Sequence, residues 1–64
     1  MQFLIEKMTC GGCARSVTRA IQSVDPTAGV KTDPSSRRVT VQSEKPQASF
    51  LTVLEDAGYP GIPQ

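Results

Sequence analysis

Sixty-four residues with seven basic, six acidic and no histidine side chains carry a formal charge of +1. That balance gives no case for bulk nucleic-acid binding, and no apolar run approaches the length needed to insert directly into a membrane. A chain this short makes one domain, residues 1–64, and its core is marginal unless it packs unusually well.

The elements follow from the pattern of apolar residues. Phe3 and Ile5 alternate with Gln2, Leu4 and Glu6, which predicts a strand with one buried face. Met8 to Gly12 read as a loop. From Ala14 the apolar residues fall at Ala14, Val17, Ala20, Ile21 and Val24, the spacing of an amphipathic helix. Asp25-Pro26 ends it, because proline disfavours helix at the residue before it. Ala28 to Thr32 predict a second strand, Asp33-Pro34-Ser35-Ser36 a turn, and the alternating Arg38-Val39-Thr40-Val41-Gln42 a third strand. Pro46 suits the first turn of a second helix, whose buried face is Phe50, Val53, Leu54 and Ala57. Gly58 fits a left-handed helix terminus. Tyr59 to Ile62 predict a last strand, which Pro60 and Pro63 confine to an edge. The order is β-α-β, turn, β-α-β. The fold class expected is α+β, a ferredoxin-like βαββαβ arrangement with two helices packed on one face of a four-stranded antiparallel sheet.

The chemistry is concentrated in Lys7-Met8-Thr9-Cys10-Gly11-Gly12-Cys13, which holds both cysteines of the chain. A disulfide between residues so close closes too short a loop to restrain the chain much, so the apo fold rests on its apolar core. The N-terminal stretch Met1 to Glu6 lacks the features of a secretory leader. A cytoplasmic setting is therefore expected, where thiols stay reduced and a close pair means metal or redox chemistry. An excised domain would read the same way. Thiolates are soft donors that select Cu(I), zinc or iron–sulfur clusters. A closed zinc site wants four ligands and a cluster four cysteines. This inventory of two cysteines and no histidine instead suits Cu(I), which accepts two thiolates in a near-linear array. Gly11 and Gly12 are expected to let the loop open around one ion. The helix start should ease ionisation of Cys13, and Lys7 with the free amides would offset the charge of a bis-thiolate Cu(I) unit. A dithiol oxidoreductase stands as the second reading, since a redox pair also sits at a strand-to-helix turn. The chain is short for that fold.

Met8-Thr9-Cys10-Gly11-Gly12-Cys13 resembles the M-x-C-x-x-C motif of heavy-metal-associated domains. Val17 and Ile21, Val39-Thr40-Val41 and Ala57-Gly58-Tyr59 agree with that family over nearly the whole chain. Its free-standing bacterial members are CopZ-type copper chaperones, which are not enzymes. The resemblance implies that Cys10 and Cys13 are the metal ligands, that Met8 is buried under the loop, and that Tyr59 lies beside it as a shield. It implies a Cu(I) cargo passed to a copper-transporting P-type ATPase metal-binding domain or a copper-responsive regulator. The low coordination number and open loop would also let two copies share the ion, as a copper-bridged homodimer. A domain of such an ATPase, or a mercury or zinc carrier, would carry the same motif. Three features depart from the family pattern. Lys7 stands where a glycine usually precedes the methionine. Asp25-Pro26-Thr27-Ala28-Gly29-Val30 replaces the usual glycine-valine pair. Thr9 stands where zinc- or cadmium-selective relatives often carry an acid, which favours Cu(I). Lys7, Arg15 and Arg19 are the residues expected to dock an acidic partner, with charge setting orientation and on-rate.

Overall fold

The computed structural model describes all residues, 1–64. The elements are β1 (Gln2–Leu4), α1 (Gly11–Val24), β2 (Gly29–Asp33), β3 (Arg38–Gln42), α2 (Gln47–Asp56) and β4 (Ile62–Pro63). The strands form one sheet in the order β2-β3-β1-β4, with every neighbouring pair antiparallel. In the register Phe3 lies opposite Val39 and Val30 opposite Val41. Alternation then sends Phe3, Val39 and Val41 to the face the helices cover, where each is fully buried. Ala14, Val17, Ala20 and Ile21 from α1 and Phe50 and Leu54 from α2 close the core over them, and Ile5 and Met8 complete it. This is the ferredoxin-like α+β arrangement expected from the sequence.

Five boundaries differ from the sequence expectations, each for a physical reason. Helix α1 begins at Gly11 rather than near Ala14. Its first bond runs from the Ala14 N–H to the Cys10 carbonyl (3.0 Å), so burying Ala14 and Val17 carries the helix back through the two glycines despite their poor propensity. Neither Gly11 nor Gly12 has a positive φ. Strand β2 runs one residue later than expected. Ala28 belongs to the turn, its N–H bonded to the Asp25 carbonyl (3.0 Å), while Asp33 pairs with Arg38. Pro46 caps α2 from outside in an extended conformation. Ala57 is the exposed C-cap of α2, and half-buried Leu51 joins Val53 on the covered flank instead. The last strand is Ile62–Pro63, not Tyr59–Ile62, because residues 59–61 are used in leaving α2. Pro63, with no N–H to give, sits on the edge strand opposite Phe3.

The antiparallel order sorts the connections into two poles. Residues 5–10, the turn at 34–37 and residues 57–61 meet at one end, where β1 stops, α1 starts and α2 stops. The α1–β2 and β3–α2 connections lie at the other, about 21 Å away along the fourteen-residue α1.

Candidate metal centre

Both cysteines lie at the first pole, and each is held differently. Cys10 is the N-cap of α1, with extended backbone (φ −150°, ψ 171°) and an exposed side chain. Cys13 is in the first turn and half-buried. Their Sγ atoms are 3.3 Å apart, a contact between two free thiols. Thr9 and the two glycines between the thiols are exposed. Met8, two residues before Cys10, is fully buried, and its N–H bonds the Ile5 carbonyl at 3.0 Å. The loop is thereby pinned to the core just ahead of the first sulfur.

Tyr59 reaches the site through the way α2 ends. Gly58 has φ +86°, a left-handed conformation that costs glycine little. Its N–H bonds the Glu55 carbonyl (3.0 Å), and the Tyr59 N–H bonds the Leu54 carbonyl (2.9 Å), the paired closure of a Schellman motif. This turn brings half-buried Tyr59 against Cys13 and Ser16. The Tyr59 hydroxyl is the largest influence lowering the Cys13 thiol, to about 7. The neighbouring Cys10 thiol and backbone groups of Thr9 and Cys10 add to it, against a smaller opposing effect of burial. Reciprocally, the Cys13 sulfur raises the Tyr59 hydroxyl above its ordinary range. Near neutral pH Cys13 is therefore partly ionised, beside a Tyr59 phenol that keeps its proton. The sequence attributes easy ionisation of Cys13 to the helix start. The structure adds a tyrosine forty-six residues away, and nothing local in the sequence marks Ser16 as its other neighbour.

No group of three or more histidine, cysteine, aspartate or glutamate side chains converges anywhere in the chain. The donor set at this pole is two thiols. Such a set fits a soft ion of low coordination number and lacks the four ligands of a closed zinc site. Lys7, Arg15 and Arg19 are all exposed, Lys7 in the thiol loop and the arginines one turn apart on α1.

A ferredoxin-like sheet and helix pair with a dithiol at the strand-to-helix turn defines a small metal-binding domain. The heavy-metal-associated domain family matches residues 2–60, and the chain belongs to that family. A gold-binding protein of known structure superposes with a TM-score of 0.92 at 43% identity, covering 95% of this chain and 94% of that one. The copper chaperone Atx1 from Synechocystis PCC6803, in a trimeric form carrying a His61Tyr substitution, gives a TM-score of 0.92 at 32% identity, with 97% and 98% covered. A copper-transporting ATPase 2 of Rhizobium meliloti (strain 1021) is 39% identical over 59 residues. The match takes in 89% of this chain but only 7% of the ATPase's length. No helix of the chain is long and apolar enough to cross a membrane.

Proposed function

We propose that the chain is a cytoplasmic carrier of one Cu(I), held by the thiolates of Cys10 and Cys13, with no catalytic cycle of its own. The observation that carries this reading is the pair of free sulfurs 3.3 Å apart at an exposed helix start, one of them with a pKa of about 7. A soft metal that competes for the protons would take both as thiolates. Copper leaves by ligand exchange. A partner thiolate bonds the ion while both original sulfurs still hold it, and Cys10 and Cys13 then release it in turn. The low coordination number and the exposure of Cys10 keep that three-sulfur intermediate within reach. The copper ATPase relative and the Atx1 structures support a P-type ATPase metal-binding domain, or a copper-responsive regulator, as the recipient. The same relatives leave room for this chain to act as a metal-binding domain of such an ATPase. Lys7, Arg15 and Arg19 form the surface that meets an acidic recipient.

One second reading has its own support. The gold-binding protein is 43% identical over nearly the whole chain, and Au(I) shares with Cu(I) a preference for two soft donors in line. Zinc and mercury are further competitors. Anaerobic titration of the reduced protein with Cu(I), Au(I), Hg(II) and Zn(II) in competition separates them. The copper reading expects one equivalent of Cu(I) bound tightly, and binding lost in Cys10→Ser and in Cys13→Ser with the fold retained. Unchanged affinity in both single variants would refute it, and a clear preference for Au(I) would move the cargo to gold.

A further inference from the structure

The helix layer carries a basic pair on one helix and an acidic pair on the other. On α1, Ala14, Val17, Ala20 and Ile21 face the core, so Arg15 and Arg19, one turn apart, point directly away from it. On α2, Phe50 and Leu54 face the core, and Glu55 and Asp56 straddle the outward side of the last turn. All four are exposed. Because α1 starts where α2 ends, Arg15 and the two acids stand toward the thiol pole, one group on each helix, and Arg19 stands one turn farther along α1.

Both pairs work against their own helix. Like charges at i and i+4 repel, and α1 has no acid in its first turn to offset them. Two carboxylates in the last turn of α2 oppose its dipole, and no basic residue accompanies them. Local choices that oppose stability point to a role at a surface.

A patch that is basic on one half and acidic on the other is complementary to itself under a two-fold rotation, since each contact then occurs twice. We infer that when copper bridges two copies across their thiol loops, Arg15 and Arg19 of each copy pair with Glu55 and Asp56 of the other. The partner is a second copy of this chain, and the inference rests on the proposed Cu(I) cargo. The four charges fix the rotation of one copy about the shared ion. Lys7, in the thiol loop itself, lies near the axis and takes no side in the pairing.

The test is a charge-swap cycle on the copper-loaded chain, read by sedimentation velocity. The wild type should dimerise at about 20 mM salt and weaken markedly at about 500 mM, where screening is nearly complete beyond a few ångströms. R15E/R19E makes the patch wholly acidic and E55K/D56K wholly basic. Each alone should dimerise about a hundredfold more weakly, four exposed pairs having turned from attraction to repulsion. An equimolar mixture of the two variants should dimerise like the wild type, and so should the fourfold variant R15E/R19E/E55K/D56K. At protein concentrations too low for dimers, all should bind copper with wild-type affinity, because none of the four is a ligand. A copper-loaded wild type that stays monomeric overturns the inference. So does either double variant dimerising like the wild type, or a mixture that fails to associate. Those outcomes leave the copper reading standing, whereas tight copper binding by Cys10→Ser and Cys13→Ser removes that reading whatever the dimer does.

Discussion

The Ser43 hydroxyl donates a 2.6 Å hydrogen bond to Asp25 Oδ2 across eighteen residues of chain. It joins the end of α1 to the β3–α2 connection at the pole away from the thiols. The other carboxylate oxygen accepts from the Thr27 N–H (3.0 Å) and hydroxyl (2.7 Å). Asp25 is the one polar side chain in the buried set, and these donors, Ser43 foremost, hold its carboxyl below the usual range. Removing Ser43 leaves one of its oxygens without a partner. Ser43→Ala should lower Tm by roughly 4–8 °C, the shift that about one net hydrogen bond makes in a chain this small. Copper affinity should not change.

The same carboxylate sets the acid limit of the apo protein. A pKa lower in the folded than in the unfolded state means that the unfolded chain binds the proton more readily, so stability falls as pH falls. Asp33, lowered first by the Ser35 hydroxyl, acts in the same direction. Thermal melts of the reduced, metal-free protein should therefore hold level from about pH 6 down to about pH 4, the ordinary aspartate range, and fall below it. Asp25→Asn should flatten that fall and lower the plateau.

Cys13 imposes a second pH dependence, higher on the scale. Its folded-state pKa of about 7 lies below the unfolded thiol's. The stabilisation is complete above the unfolded value, about 8.5, and is lost as pH falls through about 7. Apo Tm should rise between these limits. Tyr59→Phe removes the largest cause. Thiolate absorbance near 240 nm, titrated with pH, should then show the lower midpoint moving upward. A midpoint that stays put would assign the shift to the helix start alone.

Two glycines give opposite expectations. A Cβ at Gly61 would stand 3.2 Å from Leu54 Cδ1 and 3.5 Å from Phe3 Cβ, both in the buried core. Gly61→Ala should cost about 1 kcal/mol through overpacking. A Cβ at Gly11 meets nothing within 4 Å, and the residue is helical. Gly11→Ala should stabilise by up to about 0.5 kcal/mol and leave copper affinity intact. Urea melts of the apo protein check both.

Arg37 is the one residue other than glycine with a positive φ, 59°. It closes the β2–β3 turn, with its N–H on the Pro34 carbonyl (3.2 Å) and its own carbonyl accepting from Ile5 (2.7 Å). Its side chain is exposed. Arg37→Gly should relieve the left-handed conformation and raise stability by about 0.5–1 kcal/mol, again by urea melts.

Much of this was readable beforehand because the periodicity is strong. Val39 and Val41 alternate without interruption, and β3 falls at the residues predicted. Ala14 to Val24 keep one apolar stripe, and α1 ends at the Asp25-Pro26 signal. The misreadings lie where tertiary contacts outweigh local preference. Gly11 and Gly12 look like loop residues, yet the burial of Ala14 and Val17 carries the helix through them. Ala57 continues an apolar spacing, but α2 has already turned outward there through Gly58. The thiol pair itself was legible from Cys10 and Cys13 alone. The largest influence on Cys13 was not, because it depends on where a Schellman turn delivers Tyr59 from the other half of the chain.

The Gln64 N–H bonds the Gln2 carbonyl at 2.9 Å, beside the start of β1, the end of that strand away from the thiol loop. Entry and exit of the fold are thus neighbours at the end of β1 away from the sulfurs. A bead, an electrode or a fluorescent protein grafted at either end would leave the thiol pole turned outward. Several copies joined by short spacers would present their sulfurs away from the joints, as the teeth of a comb stand off its spine.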